Sequence, residues 1–216
     1  MSTLAVIDYG MGNLRSVSKA LEHVAPDTNV VVTDSTETIR SADRIVFPGV
    51  GAMRDCMDEL EKRELSQVVR DAAKDRPFLG ICLGMQLLLE RSEENDGTTG
   101  LGILKGDVRQ FPVPLHDPEQ NPEERLKIPH MGWNEVMQRV EHPLWHGVPD
   151  KSRFYFVHSY YAAPESEEDI AGTTRYGFGF TSALQHDNLF ATQFHPEKSQ
   201  HLGLQLLKNF TQWNGS

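Results

Sequence analysis

Arg76-Pro-Phe-Leu-Gly-Ile-Cys-Leu-Gly-Met-Gln-Leu-Leu-Leu-Glu-Arg91 joins an apolar run to a helical one through two glycines and a cysteine. Phe78 to Ile81 is a short apolar run of the kind that forms a buried strand, and the leucines Leu87 to Leu89 extend the segment as a helix. Between them lies Gly80-Ile81-Cys82-Leu83-Gly84. A strand that turns sharply into a helix through glycine, a nucleophile-type residue and glycine is a nucleophile elbow, here with Cys in the place of Ser. Side chains at the glycine positions would clash across so tight a turn. Cys82 then falls at a helix N-terminus, where free N–H groups and the helix dipole favour a thiolate. A cysteine in an apolar segment reads equally as a small core hydrophobe, so the elbow alone leaves both readings open.

Upstream, strands and helices alternate. Leu4 to Asp8 reads as a buried strand, Val30 to Thr33 as a second, β-branched strand and Arg44 to Phe47 as a third. Helices are expected from Leu14 to Val24, from Ser35 to Ser41, around Met53 to Leu60, and from Leu65 to about Asp75. Such alternation indicates an α/β fold, a mostly parallel central sheet with helices on both faces, and ligands at the carboxyl ends of its strands. Tyr9-Gly-Met-Gly-Asn13 lacks the spacing of a dinucleotide fingerprint and reads as a tight turn at that edge. Pro48-Gly-Val-Gly51 ends the third strand at the same edge. It is either a plain Pro-Gly loop or an oxyanion site. In the second case the N–H of Leu83 and one from Val50 or Gly51 would face the charge of a tetrahedral intermediate.

The 216-residue chain has 38% hydrophobic residues, enough to bury a sizeable core, and it reads as one domain over 1–216. A net charge of −10 argues against nucleic acid or an anionic membrane as the main partner. No apolar run approaches a membrane span and the first residues lack a signal peptide's pattern, so a cytoplasmic protein is expected. The two cysteines, Cys56 and Cys82, suit a reducing compartment, and a structural disulfide is not expected. The nine histidines show no metal-ligand spacing, so neither metal nor cofactor is expected.

Downstream, the pattern changes to shorter strands. Ser92 to Gly102 reads as a polar loop, Gly106 to Phe111 as a strand, and Pro112 to Arg125 as a solvent loop or insertion. Pro129-His-Met-Gly-Trp-Asn134 reads as a tight segment and Arg153 to Tyr161 as an aromatic strand pair. Ile170 to Thr174, Phe180 to Leu184 and Leu189 to Gln193 complete a smaller, mixed region of sheet. Then comes Ala191-Thr-Gln-Phe-His-Pro-Glu-Lys198, followed by a helix from about Ser199 to Trp213. His195 and Glu197 flank a rigid proline, so the carboxylate can orient the imidazole while the imidazole faces a thiolate across the strand ends. Alone, His-Pro-Glu is a surface turn; with a cysteine elbow in an α/β chain it completes a triad.

Gly80-Ile-Cys-Leu-Gly-Met-Gln86 together with Phe194-His-Pro-Glu197 resembles the class I, triad-type glutamine amidotransferases. Within that family, Asp8 to Leu14, Pro48 to Gly51 and Pro129 to Asn134 are similar to the glutaminase subunits of imidazole glycerol phosphate synthases. The similarity runs from Leu4 to about Phe210, and Pro112 to Arg125 is its least alike part. The resemblance implies a flavodoxin-like amidotransferase fold and L-glutamine as substrate. It implies Cys82 as nucleophile, His195 as acid and base, and Glu197 as the group orienting it. Gly49, Gln86, Glu94, Ser159 and Tyr160 would bind the substrate. Asn13, His130, Trp133, Tyr155 and Lys198 would meet a (β/α)8 cyclase that receives the ammonia. An oxyanion hole incomplete until that partner binds its own substrate, closed by a peptide flip near Val50, would prevent idle turnover. The alternatives are an amidotransferase component of anthranilate, pyridoxal phosphate or guanylate synthesis, a cysteine peptidase on a related sheet, or a non-catalytic subunit.

Overall fold

Of the strands that read as apolar runs, Thr3–Ile7, Arg44–Gly49 and Phe78–Cys82 are buried on both faces, while Asn29–Thr33 lies at the sheet edge with Val32 40% exposed. A computed structural model describes residues 2–119 and 121–216, with the backbone alone at 121, 122 and 124. Its elements begin β1 (Thr3–Ile7), α1 (Leu14–Val24), β2 (Asn29–Thr33), α2 (Thr36–Ser41), β3 (Arg44–Gly49), α3 (Met53–Lys62), α4 (Ser66–Asp75), β4 (Phe78–Cys82) and α5 (Leu83–Gln86). There follow β5 (Arg91–Ser92), β6 (Thr98–Thr99), β7 (Gly106–Gln110), β8 (Leu115–Asp117), β9 (Asn121–Leu126) and β10 (His130–Gln138). The chain ends with β11 (Ser152–His158), β12 (Tyr160–Pro164), β13 (Ile170–Tyr176), β14 (Phe178–His186), β15 (Leu189–Thr192) and α6 (Gln200–Gln212).

Strands β2, β1, β3, β4 and β15 lie side by side in parallel, and β14 turns the sheet antiparallel toward β13, β12 and β7. Alternation along β1 sends Leu4 and Val6 to one face with Val17 and Leu21 of α1 and Leu206, Leu207 and Phe210 of α6. Ala5 and Ile7 go to the other, with Ile39, Cys56, Leu60 and Val69 of α2 to α4. Helices therefore cover both faces of the parallel half, as the sequence predicts. Among the described residues no helix is long and apolar enough to cross a membrane.

Four local expectations are corrected. The elbow helix ends after one turn, at Gln86. Leu87, Leu88 and Leu89 are all fully buried, which successive positions of a helix with one exposed face do not achieve, and their carbonyls accept from the backbone of Leu101 to Leu104 instead. Gly100 permits that approach, since a Cβ there would lie 2.1 Å from the Leu89 carbonyl oxygen. Segment 112–125 is not all loop: β8 and β9 pair as an antiparallel ribbon, with Gln120 outside the described residues. The segment expected to be tight from Pro129 is extended instead, with His130 opening the nine-residue β10. Finally, β11 and β12 are not partners of each other; β11 pairs with β10, and β12 with β7 and β14.

Candidate active site

The carboxyl ends of β3, β4 and β15 put three sequence-distant segments side by side. Gly49 is in register with Cys82, and Thr192 with Ile81, so the glycine loop and the histidine segment flank the elbow. Cys82 itself has φ +55° and ψ −110°, a sparsely populated conformation for a residue with a side chain. Two glycines make it possible. A Cβ on Gly84 would lie 1.9 Å from the Phe47 carbonyl oxygen, and one on Gly49 would lie 2.6 Å from the Tyr9 hydroxyl. The N–H of Leu83, first in α5, has no acceptor within its helix.

Phe194 anchors the histidine segment. Its ring stacks on Phe154 at a centroid distance of 4.2 Å and is fully buried. Ser199 ties the segment down further, donating to the His195 carbonyl at 2.6 Å and accepting the Tyr155 N–H at 3.0 Å. His195 Nδ1 lies 2.9 Å from Glu197 Oε1, and the two side chains are 3% and 1% exposed. Nε2 of His195, buried, has no hydrogen-bond partner among the described residues. Burial alone would lower the imidazole's pKa, but the neighbouring Cys82 and the Glu197 carboxylate outweigh it and raise it to about 10. A cationic His195 is the form that stabilises a thiolate.

These groups open onto a cavity of about 350 Å³, at the small end of the range for small-molecule sites. Val50, Gly51, Cys82, Leu83, Gln86, Glu94, Ser159, Tyr160, His195 and Lys198 all line it. Gly49 and Glu197 stand directly behind that wall, beside Cys82 and His195 respectively. Glu94 is half-buried, and its carboxylate accepts the Met53 N–H at 2.6 Å, which fixes it at the start of α3. The glycine loop is tethered by Tyr9 donating to the Pro48 carbonyl at 2.9 Å and by the Cys56 thiol donating to the Val50 carbonyl at 3.6 Å. Burial pushes Cys56 up to about 11, so it remains a neutral thiol able to donate.

The residues expected at a partner surface divide. Trp133 is 39% exposed and meets Tyr155 edge to face at 6.2 Å, while Lys198 Nζ lies 5.9 Å over the Tyr155 ring. They form a row beside the cavity mouth, continued by Met131, which is 62% exposed and carried no sequence signal beyond its motif. Asn13 is half-buried at the start of α1, in the turn that packs against Pro48. His130 does not belong with them. It is 3% exposed, because alternation along β10 turns His130 and Trp133 to opposite faces, and it stacks on Phe156 and Tyr176. Sequence reading also missed Gln193, whose amide nitrogen lies 3.9 Å from Cys82 Sγ, and Ser199.

The glutamine amidotransferase class-I family matches residues 5–213. Imidazole glycerol phosphate synthase subunit HisH 1 of Pseudomonas aeruginosa is 57% identical over 215 residues, covering 100% of this chain and 99% of that protein. The subunit HisH of Nitrosococcus oceani is 58% identical over 215 residues, with the same coverage. Among solved structures, PurLQS from Thermotoga maritima has a TM-score of 0.70 at 17% identity, covering 98% of this chain and 96% of the other. A putative GMP synthase component from Thermoplasma acidophilum has a TM-score of 0.67 at 20% identity, covering 97% and 92%. The last two share the fold. Matched along nearly its whole length, elbow and His-Pro-Glu turn included, the chain belongs to the class-I glutamine amidotransferases, among the HisH subunits of imidazole glycerol phosphate synthase.

Proposed function

We propose that this chain, as a single amidotransferase domain, hydrolyses L-glutamine to glutamate and ammonia with Cys82, His195 and Glu197. The observation that carries this is the thiol at the elbow sharing one small cavity with His195, which a buried Glu197 backs, and with Leu83 at the N-terminus of α5. The Cys82 thiolate attacks the side-chain amide carbon, and the resulting oxyanion is met by the Leu83 N–H and one from the Val50–Gly51 peptide. Collapse breaks the C–N bond, with His195 Nε2 giving its proton to the departing nitrogen, and leaves a γ-glutamyl thioester and ammonia. Neutral His195 then takes a proton from water, whose oxygen attacks the thioester and releases glutamate. Glu197 holds the Nδ1–H tautomer throughout. Gly49, Gln86, Glu94, Ser159 and Tyr160 orient the amino-acid end of the substrate.

The ammonia passes to a cyclase subunit of (β/α)8 fold in a heterodimer, docked on Trp133, Tyr155 and Lys198 with Asn13 at the rim. Protonation in water would destroy the nucleophile, which is the chemical reason for channelling. The cyclase makes imidazole glycerol phosphate and aminoimidazole carboxamide ribotide, a step of histidine biosynthesis in the cytoplasm. Val50, exposed at the cavity and tethered through its carbonyl, is where the partner would complete the oxyanion hole. Glutamate release should be slow for the chain alone, strongly stimulated by cyclase plus its nucleotide ligand, and abolished in Cys82→Ala. Robust turnover without partner would overturn the gating, and stimulation that survives Cys82→Ala would overturn the nucleophile. Complementation of a histidine auxotroph lacking this subunit separates the reading from other amidotransferase pathways.

A further inference from the structure

Gln193 follows β15 and is fully buried, two residues before His195. Its amide orientation is set by a group that cannot be turned around. The Tyr160 carbonyl can only accept, so Gln86 presents Nε2 to it at 2.9 Å. That same nitrogen lies 2.9 Å from Gln193, which must answer with Oε1. Gln193 Nε2 is then directed at Cys82 Sγ, 3.9 Å away. The flipped amide would set two N–H groups against each other and an oxygen against the sulfur.

The Tyr160 carbonyl is itself held from the far side. His158 Nδ1 lies 2.7 Å from it and must donate, which leaves Nε2 of a neutral ring as an acceptor. His130 Nδ1, 2.9 Å away, therefore donates to His158. Nε2 of His130 accepts from Asn134 Nδ2 at 3.2 Å, and that amide is oriented by the Arg175 carbonyl at 2.9 Å. These assignments follow from the partners, and one proton arrangement satisfies every contact with both imidazoles neutral. Burial favours that state, lowering His130 to about 4 and His158 to about 3.

We propose that Gln193 is a positioning residue for Cys82, its amide N–H holding the thiolate in line for attack, with the Gln86–Tyr160–His158–His130–Asn134 chain holding the amide. The inference rests on the reading of Cys82 as nucleophile. A neutral amide suits the task because it stabilises a thiolate through a charge-assisted bond yet cannot take the proton that His195 must handle. The bond also makes the nucleophile's setting depend on Gln86, a residue assigned to substrate binding.

The test is the pH dependence of Cys82 alkylation by iodoacetamide, read on the Cys82 peptide by mass spectrometry so that Cys56 does not interfere. In Gln193→Met, which keeps volume and loses the donor, the midpoint should move up by about one pH unit, with an about tenfold slower reaction on the acid side of the midpoint. Gln193→Glu retains an acceptor for Gln86 but turns an oxygen toward Sγ, and should slow alkylation further. In the complex with cyclase, kcat should fall in both variants with little change in KM for glutamine. An unchanged alkylation profile in a folded Gln193→Met protein would overturn the proposal. If neither variant folds, wild-type protein labelled with 15N-glutamine decides the matter. One side-chain amide should shift as Cys82 titrates and cease to do so in Cys82→Ser, and no such amide would again overturn it. Glutamate release that is equal in wild type and Cys82→Ala would instead reject the parent reading, whatever the alkylation profile.

Discussion

At the scale of single residues, strain and enclosure set the chemistry. Cys82 holds a backbone conformation that costs about 1–3 kcal/mol, and Gly84 lets the turn press against β3 tightly enough to maintain it. Gly84→Ala should cost about 3 kcal/mol or more, since the added carbon meets the Phe47 carbonyl oxygen, a backbone atom that cannot step aside. Urea denaturation would measure it, and a loss below about 1 kcal/mol would show that the elbow relaxes. The His195–Glu197 contact of 2.9 Å is enclosed on all sides. Glu197→Gln should leave the fold intact and lower glutamine hydrolysis by about three orders of magnitude, through loss of the imidazolium's counter-charge and tautomer control. Steady-state glutamate release with cyclase present would read it. Cys82, His195 and Glu197 were legible in sequence because each sits in a short, directive motif. Gln193 was not, because its partners lie 107 and 111 positions away and a buried amide has no local signature.

Among the elements, β10 shows how one strand divides two tasks. Trp133 points to solvent and His130 into the core, three positions apart. Trp133→Ala should change stability by no more than about 0.5 kcal/mol yet weaken cyclase binding by about 2 kcal/mol. His130→Ala should do the opposite, costing about 2–3 kcal/mol of stability by opening a cavity and orphaning buried donors, with cyclase affinity little changed. Paired urea melts and binding isotherms would separate them, and equal effects of the two substitutions on binding would undo the two-face assignment. The motif carrying both residues is readable from sequence. Which face each occupies is not, because it depends on the register with β11, in which His130 opposes His158 and Trp133 opposes Tyr155. The elbow helix stopped short of its expected length for a similar reason. Three consecutive leucines suit either a helix or an enclosed turn, and the segment Leu101 to Leu104, supplying donors to their carbonyls, selected the turn.

For the molecule as a whole, three histidines are held neutral by their surroundings: His130 and His158, buried against each other, and His142, half-buried beside Phe190 and Trp213. Burial lowers His130 to about 4, His142 to about 4 and His158 to about 3, against about 6.5 for an exposed histidine. Because the folded values are depressed, the unfolded chain binds more protons between the two limits. Their contribution to stability is therefore complete above pH about 6.5 and is lost as pH falls toward about 4. Stability from urea denaturation should decline steadily across that window, and His142→Phe should flatten part of the slope. A profile indifferent to acid down to about 4 would contradict the neutral assignment. The α/β order, the layering of helices on a parallel sheet and the three residues proposed for the chemistry are legible from the amino-acid sequence. Those properties rest on local periodicity, turn composition and residue type, all of which are written along the chain. Which carbonyl turns Gln86 and Gln193, which face of β10 meets solvent and which histidines burial holds neutral emerge from the folded chain alone. Those depend on groups brought together across the sheet, where burial and fixed acceptors, rather than neighbours in sequence, set orientation and charge.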